Sequence, residues 1–358
     1  MTTVAAEELD GLLRCLFQAA GSEPAEASCV AAHLVEANLV GHDSHGAIRA
    51  PKYVAWVKAG ELLPNRHATR VVDAGPLVVV DGGFGYGQVI GAEGMEIATE
   101  SVRQHGLCLL GIRNSGHLGR IGAWAEALAL SGIVSVHFVN TSGYGILVAP
   151  HGSAERRLSA NPIAAGAPGP NGPLVLDIAT SATAEGKIQV ARNKGDTLPP
   201  GLIIDGAGND ITDPAAFYRD PPGAILPFGG HKGSGLSVFC EILAGSLTGG
   251  NASHPENATA WRLVNNMLTL AVDPARLGTT EAFAADVARL VEWVGSARPK
   301  QAGTRPLLPG DIERETRGAR SRDGIPLDRE TCLQLAEAAS SLGVSIPHFA
   351  QRACRDAQ

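Results

Sequence analysis

The chain is poor in charge and lacks the patterns that assign a partner class from composition alone. Charged residues make up 18% of the 358, and 29 Lys and Arg stand against 36 Asp and Glu. The net charge of −7, with no basic run to follow a phosphate backbone, excludes nucleic acid as a partner. No uninterrupted apolar stretch reaches the ~20 residues needed to cross a bilayer. The opening Met1-Thr2-Thr3-Val4-Ala5-Ala6-Glu7-Glu8 has no basic segment leading into an apolar one, so the expectation is no membrane and a cytoplasmic address. The six cysteines (Cys15, Cys29, Cys108, Cys240, Cys332, Cys354) include no C-x-x-C pair and have no histidine at zinc-ligand spacing. They read as reduced, mostly buried thiols, with no metal site. Against these absences stand 44% hydrophobic residues, 44 Gly and 22 Pro, the profile of a globular chain with many tight loops and room for a sizeable core.

Periodicity divides the chain. Leu9, Leu12, Leu13 and Leu16 recur at helical spacing until Gly21. Ser22 reads as the N-cap of a second helix with Glu23 and Pro24 in its first turn, running to about Leu39 before Gly41 stops it. After His42-Asp43-Ser44-His45-Gly46 a third helical stretch carries Ile48, Tyr53, Trp56 and Val57 on its apolar side. Residues 1–70 are thus expected to form a helical domain, completed by 325–358, in which Asp328 to Leu342 reads as a helix with an acidic first turn. From Val71 to residue 297 short β-branched runs (Pro76 to Val80, Leu107 to Ile112, Val134 to Val139, Leu174 to Ile178) alternate with glycine loops and Ala-rich helices such as Gln88 to Gln104, an α/β pattern. Leu236 to Leu247 and Glu281 to Val294 are further helices, and 298–324 reads as an extended arm.

The glycine loops fail the nucleotide fingerprints. Asp81-Gly82-Gly83-Phe84-Gly85-Tyr86-Gly87-Gln88 follows a strand and opens a helix, but Gln88 stands where a dinucleotide loop needs its third glycine. Gly230-His231-Lys232-Gly233-Ser234-Gly235 has the length of a Walker loop, yet Leu236-Ser237 follows where Lys-Ser or Lys-Thr belongs. Even so, a cation, a second donor and flexible backbone just before a helix suit a pyrophosphate; a surface lysine beside a helix start is the competing account. No G-x-S-x-G is present, which disfavours a hydrolase.

Ser44-His45 with Arg49 four residues beyond His45 offers an acid/base imidazole and a carboxylate ligand on one helical face, a pairing suited to a 2-hydroxy or 2-oxo acid. A capping Ser beside a solvated His is the structural alternative. Asn114-Ser115-Gly116-His117-Leu118-Gly119-Arg120 leaves a strand at the end where α/β proteins bind ligands, so His117 is a second acid/base candidate or a cofactor contact. Asp177-Ile178-Ala179-Thr180-Ser181 leaves another strand, where the acid either accepts from a ribose or caps a helix.

Taken together, Asp43-Ser44-His45-Gly46 with Arg49, Asp81-Gly82 to Gly87, Asn114 to His117, Asn161-Pro162-Ile163, Asp177 to Ser181 with Gly186-Lys187, Gly230 to Gly235 and Pro309-Gly310 resemble the malate/L-lactate dehydrogenase family of non-Rossmann oxidoreductases. The resemblance implies an α/β cofactor domain beside a helical domain drawn from both chain ends, a homodimer, NAD or NADP as cofactor, and a small-molecule carboxylate as substrate. By position it implies catalytic roles for His45, Ser44 and His117, with either histidine as the main acid/base, and substrate contacts from Arg49 and Asn161. It implies cofactor contacts from His117, Leu118, Gly119, Arg120, Ile121, Asp177, Ile178, Ala179, His231, Lys232, Gly233, Pro309 and Gly310. Reduction of a cyclic imine carboxylate, with Asp177 in the proton relay, stays beside the 2-oxo acid reading, and a non-catalytic dinucleotide-binding protein is the rival from outside enzymology. Glu185, where many relatives have Arg, and Asp311, where Glu is usual, depart from the pattern.

Overall fold

The computed structural model describes residues 2–257, 262–346 and 349. In chain order come β1 (Thr2–Val4), α1 (Ala6–Ala19), α2 (Pro24–Leu39), α3 (Ala50–Lys58), β2 (Thr69–Ala74), β3 (Leu77–Asp81), α4 (Gly87–His105), β4 (Leu107–Ser115), α5 (Gly122–Leu130) and β5 (Val134–Gly143). There follow β6 (Ile163–Ala167), β7 (Leu174–Ile178), α6 (Glu185–Lys194), β8 (Ile203–Ile204), β9 (Asp210–Ile211), β10 (Ala224–Ile225) and α7 (His231–Cys240). The chain ends with β11 (Leu263–Val272), α8 (Thr280–Gly295), α9 (Asp311–Asp323), β12 (Ile325–Leu327) and α10 (Arg329–Ser341).

Seven strands form the central sheet in the order β2-β3-β4-β11-β5-β6-β7, with β3 and β4 parallel and every other pair antiparallel. Two antiparallel strands need only a tight turn, whereas the parallel pair needs a crossover, which α4 supplies. Helices α4 and α5 bury the face that carries Val78, Val80, Leu110, Ile112, Val139, Met267 and Ala271. A second apolar cluster joins Leu9, Leu13, Leu16 and Phe17 of α1 and Val30 and Leu34 of α2 to Leu335 and Ala339 of α10. Tyr53 of α3 and Tyr86 belong to the same cluster, so the chain ends pack together against the entrance of α4.

Four sequence expectations need correction. The N-terminal region is not wholly helical, because Thr2–Val4 pairs antiparallel with Ile325–Leu327 and buries Val4. Three residues are too few for a period to register. Ser22 does not cap α2: Glu23 holds the N-cap position, no side chain caps it, and the Glu23 N–H goes to Asn65 Oδ1. The arm expected over 298–324 contains the 13-residue helix α9. Its packing face is polar, so no apolar stripe announced it. The helix of Leu236 to Leu247 begins earlier, at His231, and continues from Glu241 to Ser246 as a π-helical turn, a form that often marks functional sites. Of the C-terminal segment expected to complete the helical region, residues 347–348 and 350–358 lie outside the described residues.

Candidate active site

Two consecutive 3-10 turns, Asp43–His45 and Ala47–Arg49, replace the single helix face expected for His45 and Arg49. Gly46 separates them. A Cβ there would stand 2.2 Å from Asn38 Oδ1, and that oxygen accepts the Ala47 N–H at 2.8 Å while Asn38 Nδ2 donates to Asp43 at 2.7 Å. Only glycine lets the turn lie this close to α2. The result folds Arg49 back on the dyad: its Nε donates to the Ser44 carbonyl at 2.6 Å, and Ser44 Oγ lies 3.1 Å from His45 Nδ1.

His117 arrives from β4. The glycine loop after β3, which fails as a phosphate cradle, supports it from below: a Cβ on Gly87 would stand 2.3 Å from the His117 carbonyl oxygen. The His45 and His117 rings then stack with centroids 5.6 Å apart and planes 14° from parallel. Tyr53 Oη lies 2.6 Å from His117 Nδ1, and Gln88 Nε2 donates to Tyr53 Oη and to the His117 carbonyl at 3.0 and 3.2 Å. Burial first, then the Arg49 charge, holds both imidazoles well below the ordinary histidine range, so both are neutral at pH 7.

The remaining expected residues divide. Leu118, Gly119, Arg120 and Ile121 turn inward: Leu118 and Ile121 join the sheet core, and the Arg120 guanidinium, 2% exposed, pairs with Glu126. Asp177 stays at the mouth of β7, where its Oδ2 accepts the Gly122 N–H at 2.8 Å and burial raises its pKa. Ile178 and Ala179 follow it, half-buried. Pro309 accepts the Val175 N–H, so Pro309 and Gly310 lie beside that strand at the start of α9. His231 and Lys232 are exposed at the N-terminus of α7, while Gly233 is packed under the Phe228 carbonyl. Thr180 accepts the Phe228 N–H at 3.0 Å, which ties the exit of β7 to the loop before α7. Asn161 is not brought to the histidines: wholly buried, it donates to Glu241, Ser237 Oγ and the Ser237 carbonyl and accepts the Thr141 N–H. It clamps α7 to the sheet.

Sequence reasoning missed Tyr53, Gln88 and the His42–Glu313 pair, whose Nε2 and Oε1 are 3.1 Å apart. By periodicity Tyr53 is one of the apolar positions of its helix, yet a buried tyrosine hydroxyl needs a partner and so signals one. Beside Ser44 and Arg49 opens a cleft of about 880 Å³ lined also by Lys52, Trp56, Tyr144, Glu185, Gly186 and the start of α10.

The chain is similar to known dehydrogenases and reductases over nearly its whole length. The hydroxycarboxylate dehydrogenase B of Escherichia coli is 41% identical over 348 residues, covering 95% of this chain and 94% of that protein. The solved sulfolactate dehydrogenase of Methanocaldococcus jannaschii superposes with a TM-score of 0.84 at 30% identity, over 97% of this chain and 98% of that one. The Δ1-piperideine-2-carboxylate reductase of Pseudomonas syringae gives 0.81 at 32%, over 95% and 100%. Residues 4–336 match the malate/L-lactate dehydrogenase model, and the chain belongs to that family.

Proposed function

We propose that the chain is an NAD(P)-dependent oxidoreductase that interconverts a small 2-oxo acid and its 2-hydroxy acid. The observation that carries this reading is the pair of imidazoles stacked at 5.6 Å beside a guanidinium whose terminal nitrogens have no partner among the described residues. Arg49 would grip the substrate carboxylate at two points, with Ser44 orienting the His45 ring. The bound carboxylate offsets the guanidinium charge that, after burial, keeps His45 neutral. Substrate binding thereby raises the proton affinity of the imidazole toward the range where it serves as an acid near neutral pH. In the free site the neutral ring is ready to act as the base of the reverse direction.

The residues present fit a dinucleotide. Gly229 and Gly230, at φ +57° and +63°, leave no side chain over the first turn of α7, and the exposed His231 and Lys232 stand there as donors for a pyrophosphate. Asp177, Ile178, Ala179, Pro309 and Gly310 would line the same strip. The nicotinamide, when bound, supplies or takes up the hydride at C2. Asp177, half-buried and held by desolvation toward its protonated form, favours a second reading in which a cyclic imine carboxylate is reduced, and a relative of that activity is a third identical to this chain.

A homodimer belongs to the same proposal. Leu77, Leu109, Leu270, Val136, Ala165 and Leu176 are direct register partners across the sheet, on the face that α4 and α5 leave open; Leu77, Leu270 and Leu176 are exposed. Helix α8 is amphipathic yet buries no residue in its own chain, with Trp293 78% exposed. A second copy covers both. Cys15, Cys29, Cys108 and Cys240 are free thiols, in keeping with a cytoplasmic setting. A panel of 2-oxo acids and cyclic imine carboxylates, run with NADH and NADPH and read by nicotinamide absorbance, tests the activity: turnover of a 2-oxo acid is expected, and turnover of imines alone would replace it with the second reading.

A further inference from the structure

The two histidines sit in different hydrogen-bond environments. Among the described residues His45 Nδ1 bonds only the Ser44 hydroxyl, which donates or accepts as the ring requires and lies partly open to the cleft. His117 Nδ1 faces a chain with a fixed direction. Gln88 is 1% exposed, and its Nε2 lies 3.2 Å from the His117 carbonyl oxygen, which can only accept. The amide nitrogen must therefore point that way, and it also donates to Tyr53 Oη at 3.0 Å. With that N–H received, the hydroxyl directs its own proton to His117 Nδ1 at 2.6 Å.

We infer that Tyr53 and Gln88 are positioning residues that lock His117 as the neutral tautomer with its proton on Nε2, leaving His45 to carry the exchanging proton. A proton on His117 Nδ1 would make donors of both neighbours of the Tyr53 oxygen. The hydroxyl proton would then be stranded in the core, where Tyr53, 1% exposed, packs beside Phe17, Trp56 and Tyr86. Gln88 Oε1, buried and without a partner among the described residues, could take that proton only if the amide turned over. That would aim the oxygen at the His117 carbonyl. Burial first, then the Arg49 charge, opposes a cation on the ring, the neighbouring His45 and His33 rings would add to this only if protonated, and burial holds the Tyr53 hydroxyl proton up to about 12.

In the reaction, the His117 Nε2–H then holds the C2 oxygen through an uncharged hydrogen bond. The electron pair left on that oxygen when C2 is reduced takes its proton from the His45 imidazolium, and oxidation returns the proton to His45. The inference rests on the 2-oxo acid reading for this role, whereas the lock itself can be read on the free protein.

The test is 15N NMR of histidine-labelled protein without ligand, the His117 signals being identified by their loss in His117→Asn. The expected spectrum has Nδ1 unprotonated and Nε2 protonated, unchanged from about pH 8 to about pH 5.5. In Tyr53→Phe the two tautomers should mix or the ring titrate. The pH profile of kcat/KM should then gain a second ionisation, with kcat down about 10-fold and KM nearly unmoved. A wild-type Nδ1–H signal, or titration of His117 near ~6.5, would overturn the lock even if Tyr53→Phe fails to fold. Because no substrate is present, the lock can fail while the reductase reading stands, and the reverse.

Discussion

At the scale of single residues the account depends on what each polar group faces. Arg49 donates one bond to Ser44 and keeps its fork for a ligand. Arg49→Lys should raise KM for the acid roughly 30-fold, the equivalent of ~2 kcal/mol for a lost charge-assisted pair, with dinucleotide affinity little changed. Steady-state kinetics on the accepted substrates decide it, and wild-type KM would remove Arg49 from the carboxylate site. Asn161 is the opposite case. Its amide holds the buried Glu241 and the Thr141 backbone, so Asn161→Ala should lower unfolding free energy by about 2 kcal/mol or more in urea while the folded fraction keeps its KM. An unaltered urea midpoint with a raised KM would return Asn161 to the substrate. Ser44, His45 and Arg49 stood out in sequence because their chemistry is rare in so short a spacing, and His117 because it follows the end of a strand where α/β proteins bind ligands. Tyr53 and Gln88 did not, because a contact between residues 35 apart in the chain leaves no local trace.

Among elements, those marked by an apolar pattern were readable and those held by charge were not. Residues Pro24–Leu39, Leu174–Ile178 and Thr280–Gly295 lie within a residue or two of the sequence reading. Helix α9 escaped it because Arg317 pairs with Glu36 and Glu126, Arg320 with Asp43, and Glu313 with His42, all across the gap to α2, α5 and the His45 turn. An extended arm and a polar-faced helix have the same composition. Helix α7 has the clearest functional test. Lys232→Ala should weaken dinucleotide binding in calorimetry and flatten its salt dependence, because an exposed ammonium acts on a phosphate through screened charge. Unchanged affinity would take the α7 N-terminus out of the cofactor site.

For the whole molecule, the open sheet face and the unburied α8 are what support the proposed dimer. Leu270→Glu, at a position 44% exposed, should convert a dimer to monomers in light scattering without loss of helix content, whereas a dimer that persists would place the interface elsewhere. The buried histidines contribute to the loss of stability in acid. Burial lowers His33 and His137 to about 3 in the folded chain. The unfolded forms bind protons below ~6.5. Stability is therefore full above that value and falls as pH drops from ~6.5 toward about 3, by about 1.4 kcal/mol per pH unit for each ring. Urea midpoints taken between about pH 7.5 and about pH 5 should show the decline; a flat profile would mean these rings take up protons in the fold as readily as in the unfolded chain.

The central claim is that His45 exchanges the proton while His117 holds the oxygen. The kcat of His45→Ala for 2-oxo acid reduction, measured across pH beside His117→Ala, tests it most directly. His45→Ala should lose ~100-fold or more in kcat together with the ionisation that wild type shows, with NAD(P)H binding intact. His117→Ala should lose less and keep that ionisation. If His117→Ala abolished the ionisation and His45→Ala kept it, the proton would belong to His117 and Ser44-His45 would only position the substrate.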